Sequence, residues 1–258
     1  MHIRTALLES KKGAITAIGE MAAHSGAAFV PFLGDAMTVL LKAADNWHPL
    51  IKVECADAMA SLVIPCVAQD HGGEIKWEKG DIGGASPLSA NTSQAVNVIM
   101  KALVVLMQDE TEEVVGKACD SIQSIMELCG PHSLAPVANE CLENTYALLA
   151  KEAPCQQMGD YGEEFGDEDD DHDAFMTSVC DLVGSFGRVM GQHLSNTCPN
   201  SYHLFVNTPN HRVPQAIDQW LWVAWENLLR SWALVFWSTG QMCFTQPQLL
   251  VLATLITA

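Results

Sequence analysis

The chain has 258 residues and a mass of 28.0 kDa, enough for one or two domains or a short array of repeats. Thirty-one Asp and Glu stand against thirteen Lys and Arg, a formal net charge of −18. That excludes a general nucleic-acid binder, which needs a basic excess against phosphate, and a hydrophobic content of 49% excludes a largely disordered chain.

In chain order the dominant period is helical. The spacing of Leu7, Leu8, Ile15, Ile18, Met21 and Ala22 predicts a helix over Thr5–His24. Further helices are predicted over Ala28–Asp45, His48–Gln69, Ser93–Gln108, Glu110–Cys129, His132–Lys151 and Asp171–Met190. Gly26 and Gly130 read as C-terminal stops, and Pro31 and Pro136 as residues of the opening turn of the helix that follows. The one strand-like stretch, Gly72–Gly84, is short and bounded by glycine.

A motif of two small residues and two aliphatic ones recurs four times. It reads Ala14/Ala17-Ile18/Met21, Cys55/Ala58-Met59/Leu62, Ala118/Ser121-Ile122/Ile125 and Val179/Leu182-Val183/Phe186. An acid, Asp57, Asp120 or Asp181, fills the same offset in the last three. The anchors Ile18, Met59, Ile122 and Val183 lie 41, 63 and 61 residues apart. The first step falls in the range of HEAT and armadillo repeats, and inserts of about twenty residues account for the longer two. One insert is glycine-rich, near 70–92. The other is acidic, near 155–171. The predicted fold class is therefore all-α: a HEAT-repeat solenoid of stacked antiparallel helix pairs, about three and a half repeats over residues 1–191.

The acid is concentrated. Asp160, Glu163, Glu164, Asp167, Glu168, Asp169, Asp170, Asp171 and Asp173 put nine carboxylates into fourteen residues with no base among them. Such a run sets up a dense negative field over about 8 Å at physiological salt and attracts Lys/Arg-rich partners. It lacks the glycine and terminal Glu of a calcium-binding loop, so no metal site is expected there. No nucleotide, esterase or zinc-protease motif occurs, so no catalytic residue and no cofactor is expected. His24, His132 and His172 are scattered, and the nine cysteines include no C-x-x-C pair. The His71–Trp77 stretch with Lys76 and Lys79 reads as an ordered loop or a surface contact. The segment MHIRTALLESKK has no apolar core of a secretory signal. Ser231–Ala258 is uncharged and long enough to span a bilayer, but Gly240, Gln241, Gln246, Pro247 and Gln248 interrupt it, so membrane insertion is not expected.

Several stretches resemble the importin-beta (karyopherin-beta) family, in its importin-four-type branch. They are the RTALLESKKGAITAIGE opening at Arg4–Glu20, the Phe29–Leu33 run FVPFL, the HPLIKVECADAMASL repeat at His48–Leu62, and the acidic run that leads into Asp173–Gly191. The likeness covers about residues 3–191. It implies a segment of a HEAT-repeat nuclear import receptor, not an enzyme. Such a receptor carries basic cargo, including ribosomal proteins and histones, past nucleoporins, and releases it on binding Ran-GTP. It shuttles between cytoplasm and nucleus through the nuclear pore. In this frame the nine carboxylates are the cargo-binding residues. The alternative is a static HEAT-repeat scaffold for a multiprotein complex. Residues 192–258 do not follow the family pattern: five Trp fall between Trp220 and Trp237, and the segment reads as an alternative or misread exon or a truncated gene model, the alternative being a lineage-specific helix that covers the open end of the array.

Overall fold

The computed structural model describes residues 2–73, 75–81, 86–157 and 168–190, with side chains from Thr5 onward and, in the last stretch, from His172 onward. Among the described residues there is no strand; every regular element is helical. The Trp-rich segment lies outside the described residues.

Helix α1 spans His2–Ser25 and ends where Gly26 turns to φ +53°, a backbone conformation open mainly to glycine. The helix expected over Ala28–Asp45 divides. A 3-10 segment runs Gly26–Phe32, and α2 follows at Leu33–Ala44. Pro31 has no N–H for the carbonyl four residues back, so the chain tightens into three-residue turns before the α-helix proper begins. The helix expected over His48–Gln69 also breaks, into α3 (Pro49–Ser61) and α4 (Val63–His71). Pro65 is the cause: it leaves the Ser61 carbonyl without its helical donor and crowds it sterically. His48 caps α3 through Nδ1, which accepts from the Leu50 N–H at 3.3 Å.

Helix α5 (Ala90–Leu106) begins three residues before the predicted start because Ser89 caps it. The Ser89 hydroxyl accepts from the Thr92 N–H at 3.2 Å, and the Ser89 N–H donates to the Asp70 carboxylate at 3.1 Å. Helix α6 (Glu112–Cys129) stops at Gly130, φ +74° and ψ −165°. Two helices, α7 (Pro131–Leu134) and α8 (Ala138–Leu149), replace the one expected over His132–Lys151, again divided at a proline, Pro136. A single turn, α9 (Pro154–Gln157), buries Cys155 inside what the sequence presents as insert. Helix α10 spans Glu168–Met190.

Helices α1, α3, α6 and α10 pack one against the next in chain order. The contacts between them show that they run parallel. Lys12 reaches Glu54 at 3.3 Å and Gly19 abuts Ala58; Lys52 pairs with Asp109 just ahead of α6, and Asp57 with Lys117 at 3.6 Å; His172 meets Glu112, Phe175 lies over Gly116, and Arg188 bonds Glu127 at 2.6 Å. In each pair the contacts advance in the same direction along both helices. The second layer is built from α2, α4, α5 and α8, with α2 on α3, α5 on α6 and α8 on α10.

The repeated motif maps onto this layering. Cys55, Ala58, Met59 and Leu62 are buried, as are Ala118, Ser121, Ile122 and Ile125, and Val179, Leu182, Val183 and Phe186. The first copy differs. Ala14 and Ala17 are exposed, Met21 is 52% exposed and Ile18 is half-buried; Ile15, Gly19 and Ala22 are buried instead. The physical reason is position. Ala58, the counterpart of Ala17, packs against the preceding helix α1 at Gly19. Among the described residues α1 has no helix on its own preceding side, so the corresponding face stays open to solvent, together with Leu7 at 58% exposure. The stretch Thr5–Ala44 is long and apolar enough, by length and composition, to cross a membrane. Its helix is interrupted at Gly26 and Pro31, however, and Lys12 is tied to Glu54 of α3.

Candidate protein-docking edge

Parallel packing places the N-termini of α6 and α10 on one edge of the layer and their C-termini on the other. The acidic run enters the fold at the first of these edges. Asp160, Glu163, Glu164 and Asp167 lie outside the described residues. Glu168, Asp169, Asp170 and Asp171 occupy the first turn of α10, which therefore starts three residues ahead of the predicted Asp171. Acidic residue types are favoured in the first turn of a helix, where the dipole is positive. The helix thus reaches into a segment the sequence presents as loop. Asp173, one turn on, is exposed.

The residue that moors this turn is His172. Its Nδ1 lies 3.1 Å from both carboxylate oxygens of Glu112, and its ring stands 5.9 Å from that of Phe175. Glu112 belongs to a second acidic stretch, Asp109-Glu110-Thr111-Glu112-Glu113, which the sequence reading did not join to the first. Four carboxylates in five residues was the available signal. Asp109 accepts from Lys52 and from the Thr111 N–H, so its charge is partnered. Glu110 and Glu113 are exposed. The edge thus joins two acidic runs separated by about fifty residues of chain. Of the other histidines singled out, His24 pairs with Glu20 at 3.1 Å on the surface of α1, far in sequence from this edge.

The opposite edge carries paired charges and is crossed by another segment of the chain. Glu127 Oε1 accepts from Arg188 at 2.6 Å, from Ser185 at 3.1 Å and from Gln123 at 3.3 Å. The glycine-rich insert crosses here. Trp77 Nε1 donates to the Glu127 carbonyl at 3.2 Å, and the Gly80 N–H donates to the Val189 carbonyl at 2.9 Å. Burial, and then the nearby Arg188 guanidinium, hold the Lys79 ammonium below its ordinary pKa.

A shallow cleft lies between α5 and α7, lined by Leu88, Ser93, Asn97, His132, Ser133 and Pro136 among others; its one titratable side chain is His132. Among the described residues, no three His, Cys, Asp or Glu side chains are gathered to hold a metal ion. The seven described cysteines are buried free thiols. Burial, the dominant influence on each, pushes Cys55, Cys129 and Cys141 up to about 12, and Cys66, Cys155 and Cys180 up to about 11. They are core side chains held protonated, not nucleophiles.

In comparisons with known proteins, no family model matches the chain and no curated protein matches it significantly.

Proposed function

We propose that the chain is a segment of a HEAT-repeat nuclear transport receptor, which binds basic protein cargo and performs no chemical step. The observation that carries this reading is the acidic edge. Parallel stacking brings Glu110, Glu113 and Asp173 of two separate acidic runs to one side of the layer, with Glu168–Asp171 at the same helix end. Clustered carboxylates of this kind steer Lys/Arg-rich segments and disfavour acidic partners. A further feature supports the array reading: the four parallel helices each carry one copy of the repeated motif. In this reading GTP-bound Ran displaces the cargo, nucleoporins are transient partners, and the receptor moves between cytoplasm and nucleus.

The test is a titration of a labelled Lys/Arg-rich import peptide at several salt concentrations. The protein is compared with a variant in which the carboxylates at 110, 113 and 160–173 are replaced by amides, leaving Glu112 and His172 intact. The variant is expected to bind more weakly and with a shallower salt dependence. Equal affinity and equal salt slope would remove the acidic edge from the binding site. Release of the peptide by GTP-bound Ran separates a transport receptor from a static scaffold, which would retain it.

A further inference from the structure

In an array of stacked helix pairs each pair touches only its neighbours, so openings in one part are weakly coupled to the rest. The glycine-rich insert departs from that rule. It leaves the array after α4, in the second pair, and runs along the C-terminal ends of α6 and α10, in the third and fourth. Three contacts fix it. The indole of Trp77 sits directly on Gly130, where a Cβ would fall 2.4 Å from Trp77 Cγ. Trp77 Nε1 bonds the Glu127 carbonyl, one of the last carbonyls of α6 that lack a helical donor. The Gly80 N–H bonds the Val189 carbonyl in the last turn of α10, a partner more than a hundred residues away in sequence. Ile75 packs against the core beside Trp77. The helix ends under this segment are themselves tied together by the Glu127–Arg188–Ser185 cluster.

We propose that Ile75–Asp81 is a strap that links the second pair to the fourth and locks the spacing of α6 and α10, so that these helices open as one unit. The strap supplies the next-nearest-neighbour contact that a simple array lacks. It is built from backbone and indole bonds rather than from the acidic edge, and it stands whatever the chain carries. Gly130 is integral to it: a stop residue without a side chain is what gives the indole its seat.

Buried thiols provide local reporters. Cys129 ends α6, Cys180 lies in α10, and Cys55 lies in α3, away from the strap; all three are buried. The rate of labelling of each thiol by a small alkylating reagent in the folded protein is measured by mass spectrometry, for the unmodified protein, Trp77→Ala and Trp77→Phe. Trp77→Ala is expected to speed labelling of Cys180 and Cys129 by roughly tenfold or more, the factor that corresponds to 1.4 kcal/mol, while Cys55 changes little. Trp77→Phe, which keeps an aromatic ring but loses the Nε1 donor and part of the indole's contact area, is expected to give a smaller change with the same selectivity. It carries the test if the alanine variant fails to fold. Unchanged rates at Cys129 and Cys180 would overturn the strap. So would an equal rise at Cys55, since Trp77 would then be a residue of the general core.

Discussion

Replacing Gly130 by alanine tests the local geometry on which the C-terminal edge depends. Two costs add. The backbone at φ +74° and ψ −165° lies in a region that is essentially restricted to glycine, and holding another residue there costs about 1–3 kcal/mol. The new Cβ would also stand 2.4, 2.7 and 2.8 Å from Trp77 Cγ, Cδ2 and Cβ, closer than any real contact, so the indole has to leave its seat. That forfeits the bond from Nε1 to the Glu127 carbonyl, worth about 0.5–1.5 kcal/mol, and part of the indole's burial. The expected loss is about 2–5 kcal/mol, a sizeable share of a typical stability of 5–15 kcal/mol. Chemical denaturation followed by circular dichroism measures it in a double-mutant cycle with Trp77→Ala. With the indole removed, the steric part vanishes and only the backbone part remains. Gly130→Ala should therefore cost at least about 1 kcal/mol less in the Trp77→Ala background than in the original protein. Strict additivity would refute the contact, and a loss below about 1 kcal/mol would refute the backbone argument as well.

Two other glycines predict opposite signs within one helix. Gly19→Ala would put a Cβ 3.1 Å from Ala58 Cα, against backbone that cannot swing aside, so α1 must separate from α3 at a cost of about 1–3 kcal/mol. Gly13→Ala meets nothing within 4 Å and should stabilise by about 0.5–1 kcal/mol through helix propensity; both are read from denaturation midpoints. The buried thiols make stability fall in alkali. Unfolded thiols ionise above the ordinary 9.0 while folded ones stay protonated up to about 11 or 12, so the unfolded state binds fewer protons across that window and the midpoint should drop as pH rises through it. A flat midpoint between pH 9 and 10.5 would contradict their burial. At the acid end, burial alone would raise the Asp70 carboxyl. Hydrogen bonds from Thr92 and Ser89 and the nearby His71 outweigh it and hold the pKa below its ordinary 3.8. Its contribution is therefore present above 3.8 and lost as pH falls below, and Asp70→Asn should flatten the acid limb of the stability curve; an unaltered limb would speak against the Ser89 cap.

Sequence alone determined what depends on a few neighbouring residues. The helical class follows from the three- and four-residue spacing of aliphatics, and the ends of α1 and α6 from Gly26 and Gly130, whose positive φ is a local demand. The motifs around Met59, Ile122 and Val183 marked core faces because each of those helices is packed against another on the motif side. The proline breaks at 61–63 and 135–137 were legible in principle. Apolar periodicity continues across them, and periodicity does not register a missing N–H. Tertiary structure decided everything that depends on which helix lies alongside. The same motif around Ile18 leaves Ala14, Ala17 and Met21 exposed, since burial belongs to a pair of helices and not to one. Residues 168–173 of the acidic run fall in α10, opposite Asp109–Glu113, because parallel stacking aligns the two helix starts and His172 reaches Glu112. The glycine-rich insert, which read as a simple ordered loop or surface contact, takes its role from Trp77 and Gly80 meeting the ends of α6 and α10, contacts made across fifty and more than a hundred residues that no local pattern encodes.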